Sequence, residues 1–251
     1  MQYCSANKMS TMKKITGIIL LGCLCKMGHA QVVIALLFGD KLNTGTLEFG
    51  MVVAPGATDI SNIVSKRRDN LSLGIYFNIH PDKKFFIHAE GIAKGSFGAE
   101  NLLPYPVGND TLNGLFANGS VERKIKAFSM PILGRYAITP KFFIEAGIQP
   151  DMMLKSKDIF TTKVNDNEVT YTTIISDQVA LLDFGLAGGL FYKFRKDKRG
   201  MGIGIRYFKG LTDILPSTTG TQVNSALQLN VTIPIGAGKV NANSSNKSTG
   251  Q

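Results

Sequence analysis

Leu71 to Lys94 reads LSLGIYFNIHPDKKFFIHAEGIAK, two runs of alternating polarity either side of a charged turn. In the first run Leu71, Leu73, Ile75, Phe77 and Ile79 share one face, and Ser72, Gly74, Tyr76 and Asn78 share the other, because successive side chains of a strand point to opposite sides. The second run places Phe85, Ile87, Ala89, Gly91 and Ala93 on its apolar face. His88, Glu90 and Lys94 share the opposite face with Phe86 and Ile92. Between them His80-Pro81-Asp82-Lys83-Lys84 sets one dihedral with proline and keeps the turn in water. The stretch predicts a β-hairpin.

The pattern repeats on both sides. Upstream, Thr46 to Ala54 alternates Leu47, Phe49, Met51 and Val53 against Glu48 and Gly50, and the polar segment Pro55 to Asp69 reads as a connection. Downstream, Ser96 to Glu122 and Asp151 to Asp177 read as long loops. Strands are expected at Ala127 to Ile138, Phe142 to Ile148, Val179 to Phe194, Met201 to Phe208 and about Gln222 to Ile235. Pro131 interrupts the first of these, so a bulge or a tolerated missing donor is expected there. The count is eight strands, with long connections after strands one, three, five and seven and short ones after two, four and six.

That alternation predicts an all-β fold, an eight-stranded antiparallel up-and-down transmembrane β-barrel, in which short turns face the periplasm and long loops face outward. Nine aromatics, Phe77, Phe85, Phe86, Tyr136, Phe142, Phe143, Phe191, Tyr192 and Phe194, lie beside the short turns and read as an interfacial girdle. The opposite parity carries isolated charges of both signs. Glu48, His88, Glu90, Lys94, Arg135, Glu145, Asp183 and Arg206 are expected to form a charge network in the lumen, where a charge is tolerated only when paired. A secreted soluble β-barrel binding an apolar ligand shares the alternation and is the alternative fold reading.

The 251 residues show no linker that would divide the middle of the chain, so one barrel domain, 46–235, is expected. Lys13 and Lys14 precede the apolar run Ile15 to Cys25, and Gly28-His29-Ala30 offers a cleavage site, so residues 1–30 read as a signal peptide. Leu20-Leu21-Gly22-Cys23 is a competing lipoprotein signal, with Cys23 as the acylated residue. Under ordinary cleavage all three cysteines leave, and the net charge falls from +10 to +6. Residues 31–45 form a periplasmic segment of open role, and 236–251 a Gly/Asn/Ser-rich disordered tail. No lysine block interleaves with aromatics, which argues against nucleic acid.

The segments LEFGMVVAPGATDIS, AFSMPILGRY, FFIEAGIQP, DFGLAGGLFYKF and GIGIRYFKGLTDI resemble the PorT-like family of outer-membrane β-barrel proteins over nearly all of the mature chain. The resemblance implies an integral outer-membrane protein of a Gram-negative envelope, with membrane lipid and the barrel-insertion machinery as partners. The chain departs from many such barrels in ending its last strand Val231-Thr232-Ile233-Pro234-Ile235, without a terminal aromatic. None of the matching segments is a catalytic motif. His80 and His88, the histidines left after cleavage, make neither a nucleophile–base pair nor a metal-ligand spacing, and no cofactor is expected. The functional expectation is a structural or interaction role through the outer loops, with an envelope protein as partner. A small envelope enzyme or narrow channel using Glu90, Arg135 and Arg206 is the alternative.

Overall fold

A computed structural model of the protein describes residues 46–81, 83–195 and 200–235. The expected signal peptide, the segment 31–45, the tail and most of the turn 195–200 lie outside the described residues. Among the described residues ten strands, one short α-helix and one 3-10 turn follow in order: β1 (Leu47–Ile60), β2 (Lys66–Ile79), β3 (Phe85–Leu102), α1 (Asp110–Phe116), β4 (Ser120–Ser129), β5 (Ile132–Ala137), β6 (Phe142–Val164), β7 (Asn167–Ile174), the 3-10 turn Ser176–Gln178, β8 (Leu182–Lys193), β9 (Gly202–Gly210) and β10 (Asn224–Pro234).

All pairings are antiparallel, and β10 pairs with β9 on one side and β1 on the other, so the sheet closes. β4 and β5 both pair with β3 and with β6, which makes them one stave broken at Met130-Pro131. The ring therefore has eight staves, and β7 pairs outside it, on β6 alone. The break at Pro131 is stitched by backbone: Met130 donates to the Pro150 carbonyl at 2.9 Å, and Pro131 accepts from Glu90 at 2.9 Å. The missing proline donor thus falls in a gap of the ladder.

Parity assigns the faces. Leu71, Ile75, Ile132, Ile144, Leu190, Ile205 and Leu227 point outward and are exposed, while Glu48, Asn78, His88, Arg135, Glu145 and Arg206 are buried inside. An outward apolar band around a polar interior inverts the pattern of a water-soluble barrel and requires lipid around it.

The strands are longer than the sequence alone suggests. Pro55 to Asp69 is no long loop, since β1 runs to Ile60 and β2 starts at Lys66, leaving a turn at 61–65. Ser96 to Glu122 and Asp151 to Asp177 are likewise largely strand: β3 reaches Leu102, β4 begins at Ser120, and β6 with β7 forms a hairpin whose turn residues Asn165 and Asp166 have positive φ. A bilayer-crossing strand needs about 9–11 residues. The 18 residues of β3 and 23 of β6 therefore continue well past the hydrocarbon. Beyond it the outward face meets water and the apolar half of the alternation disappears while the ladder goes on.

The ends of the barrel differ. The junctions of β2 with β3, β5 with β6 and β8 with β9 mark the turn end, and the extended strands mark the loop end. Of the nine expected girdle aromatics, Phe86, Phe143 and Phe191 point inward and pack together, so the outer girdle keeps Phe77, Phe85, Tyr136, Phe142, Tyr192 and Phe194. The reason is parity, since Phe85-Phe86 and Phe142-Phe143 are adjacent pairs and only one member of each can face lipid.

Candidate functional site

The middle of the lumen holds one continuous hydrogen-bonded chain of side chains. Lys193 reaches Glu48 Oε2 at 3.2 Å, and Glu48 Oε1 accepts from Tyr76 Oη and Asn78 Nδ2, each at 2.9 Å. Asn78 Oδ1 stands 2.6 Å from His88 Nδ1, and His88 Nε2 lies 2.6 Å from Glu90 Oε1. Arg206 clamps Glu90 with both terminal nitrogens at 2.8 and 2.9 Å and gives Nε to Glu145 at 2.7 Å. Arg135 donates Nε to the other oxygen of Glu145 at 2.7 Å and lays its guanidinium 3.9 Å from the centre of the Phe191 ring.

These residues come from β1, β2, β3, β5, β6, β8 and β9, seven of the eight staves. Three glutamates meet three cations, and the guanidiniums supply the fork geometry that binds carboxylates in pairs. Because Asn78 donates to Glu48, its oxygen faces His88 and takes the Nδ1 proton. His88 Nε2 then faces a Glu90 carboxylate oxygen at 2.6 Å. The arrangement is charge-compensated, with every acid bonded to a named donor.

Two expected members stand elsewhere. Lys94 points outward and is exposed, because a bulge at Ala93-Lys94, where Leu73 pairs with Lys94 but Gly74 with Ile92, shifts the alternation by one residue. Asp183 is buried but separate: its Oδ2 accepts from Asn224 Nδ2 at 2.8 Å, and its β6 register partner is another acid, Asp151. Lys193 is a member the sequence reading passed over, although continuing the parity of Asp183, Gly185, Ala187 and Gly189 points to it. Gly50 explains how Tyr76 joins, since a Cβ at that position would come within 2.5 Å of the Tyr76 ring.

Side chains fill the lumen on either side of the network. Toward the turn end lies the Phe86, Phe143 and Phe191 cluster. Toward the loop end lies the largest apolar cluster, which includes Phe97, Ile125, Phe160 and Phe208 together with Ile175, Ile214 and Leu215 from the connections. Between them a cavity of about 20 Å³, lined among others by Glu90, Gln149 and Asn230, has room for one water. Among the described residues no group of three or more histidine, cysteine, aspartate or glutamate side chains could hold a metal ion.

The loop end carries a second organised region. Arg123 binds Asp158 through Nε at 2.9 Å and Nη2 at 2.6 Å, and Tyr105 donates to the same carboxylate at 2.7 Å. Burial first, and that hydrogen bond second, hold the Tyr105 phenol above its ordinary pKa. Tyr105, Phe116 and Tyr171 each stack on Phe160 at 5.1–6.1 Å, which ties the 103–119 connection and α1 to the β6–β7 hairpin. β7 pairs with β6 alone, so its other edge carries no strand among the described residues.

A closed eight-stave ring with an apolar exterior and a charge-paired interior defines the protein as an outer-membrane β-barrel. The chain belongs to the family described as outer membrane protein beta-barrel domain, which matches residues 42–215. Among solved structures it is similar to Ail, the attachment invasion locus protein of Yersinia pestis, in complex with the heparin analogue sucrose octasulfate. The identity is 8%, over 76% of this chain and 98% of that one, with a TM-score of 0.41. Neisserial surface protein A is similar at 9% identity, over 76% and 97%, with a TM-score of 0.39. OprG of Pseudomonas aeruginosa follows at 12% identity, over 75% and 94%, with a TM-score of 0.37. No curated protein is significantly similar to the chain.

Proposed function

We propose that the protein is a PorT-like barrel, exported by its signal peptide and placed by the barrel-insertion machinery, that holds a rigid recognition platform outside the cell. The loop end faces outward in this reading, and an envelope or extracellular protein is the partner. The observation that carries it is the continuation of β3, β4 and β6 past the apolar band, joined by β7 and α1 and pinned by Arg123–Asp158 and the Phe160 aromatic cluster. A strand with an open edge, β7, is suited to accept a partner strand. The lumen network acts as the scaffold that keeps this platform fixed. It is charge-compensated and flanked by apolar side chains, which supports a structural role over the channel or enzyme alternative.

Removing Thr161–Thr170 and joining Phe160 to Tyr171 through an Asn-Gly turn tests the platform, because those two residues are register partners. The shortened protein is expected to reach the outer membrane folded but to lose the partner captured from native membranes by the full chain. Retention of that partner at full yield would place recognition elsewhere. Orientation has its own check: protease added to intact cells should cut within 103–119 and at 165–166 and leave 195–200 intact. Cleavage confined to 195–200 would invert the barrel.

A further inference from the structure

We propose that the outward wall formed by β2, β3, β4 and β6 is a binding site for the phosphate groups of an outer-leaflet glycolipid. Three staves change from apolar residues to lysine at one level. β3 presents Ala93 and then Lys94; β4 presents Phe128 and then Lys126 and Lys124; β6 presents Leu154 and then Lys155 and Lys157. The registers align them, since Ala127 pairs with Gly95 on one side and Met153 on the other. Lys124 and Lys157 are direct register partners on the outward face. Like charges so placed destabilise a sheet unless an anion lies between them. Among the described residues none of these five lysines has an ion-pair partner, and Glu122, the outward acid of β4, is taken by Arg68 at 2.6 Å. The cluster is one-sided. β1, β8, β9 and β10 together place a single cation, Lys209, on their outward faces.

The wall at this level is also shaped. The β2–β3 ladder is interrupted between Arg67 and Leu73. Side chains stitch the gap: Asn70 Oδ1 takes the Ser96 backbone N–H at 3.2 Å, and Arg68 reaches through to Ser96 Oγ at 3.1 Å. The gap opens outward into a groove of about 500 Å³ whose lining includes Leu71, Ala93 and Leu154 on the apolar side and Lys94, Lys124 and Lys126 on the charged side. Asp69 is the acid in that lining. An apolar floor continuous with the lipid-facing band, below a rim of lysines, matches an amphiphile with an acyl chain and a phosphorylated headgroup. A free anion would use the rim alone. Basic clusters at a membrane surface recognise anionic headgroups in this way, and lysine serves phosphate as a compact point charge.

The leaflet assignment rests on the orientation proposed above, which the protease experiment checks independently of any lipid. The test here is native mass spectrometry of the folded full-length protein in a zwitterionic detergent, titrated with bis-phosphorylated lipid A. The triple variant Lys94→Gln/Lys124→Gln/Lys126→Gln is expected to weaken binding by about tenfold or more. Lys209→Gln on the far wall should leave it unchanged, and millimolar inorganic phosphate should not displace the lipid. Lys124→Gln alone should weaken binding while leaving folding intact or improved, because it relieves the pairing with Lys157. The proposal is overturned if the triple variant binds lipid A like the unaltered protein, or if dephosphorylated lipid binds equally well. It also falls if inorganic phosphate displaces the lipid completely, or if phosphatidylglycerol is preferred over lipid A.

Discussion

Arg206→Leu is expected to cost the barrel about 3–5 kcal/mol, the loss typical of breaking a buried ion pair from one side, and so to prevent folding or to lower its denaturant midpoint sharply. The guanidinium is 1% exposed and makes three of the network's bonds, to Glu90 and Glu145 on two other staves. Removing it leaves two carboxylates buried with one clamp lost, and of these two acids Arg135 bonds Glu145. Arg206→Lys should fall between the two, because an ammonium keeps the charge but cannot present the fork that engages both acids. Arg67→Leu, at an exposed position of β2, should change stability by no more than about 0.5 kcal/mol. Guanidinium unfolding of the protein folded into lipid vesicles measures all three. Equal midpoints for Arg206→Leu and the unaltered protein would show that the network does not hold the staves together.

The second large effect separates neighbouring residues of β10. Leu227 points to lipid and is 45% exposed, whereas Gln228 points into the lumen. A lysine at the midplane on the lipid face costs about 2–4 kcal/mol in such barrels, so Leu227→Lys should lower the midpoint by a corresponding amount. Gln228→Lys should cost much less, because glutamine and lysine are similar in reach and the lumen there is polar, with Gln228 Nε2 3.4 Å from Ser72 Oγ. Repeating the pair in thinner bilayers should shrink the Leu227→Lys penalty and leave the Gln228→Lys value in place. Equal penalties for the two would contradict the assignment of faces.

These two residues also show what was legible in the chain. Parity could be read wherever one face meets lipid, because the bilayer forces every second residue to be apolar. The hairpin at Leu71–Lys94 therefore gave the right faces for Tyr76, Asn78, His88 and Glu90. Strand ends were not legible. Past the hydrocarbon the outward face of a strand meets water in place of lipid, so β1 beyond Ala54, β3 beyond Gly95 and β6 beyond Gln149 carry outward polar residues that resemble loops. Bulges were not legible either. The extra residue at Ala93-Lys94 leaves no mark in composition, and it moves Lys94 from the lumen to the outer wall. Adjacent aromatics hide a third ambiguity, since Phe85-Phe86 and Phe142-Phe143 each supply one ring to the girdle and one to the inner cluster. Which carboxylate meets which guanidinium depends on the stagger between distant staves, as in the Arg206–Glu90 pair, and no local pattern encodes it.

Closure of the barrel in the outer membrane depends on the edge-to-edge pairing of β1 with β10. The most direct measurement is the electrophoretic mobility of protein extracted from washed outer membranes, compared with and without boiling. A ring with no unpaired stave edge resists detergent until heated, so a compact, faster-migrating form that converts to a slower one on boiling is expected. Recovery of the protein in the soluble periplasmic fraction, with one mobility before and after heating, would contradict it.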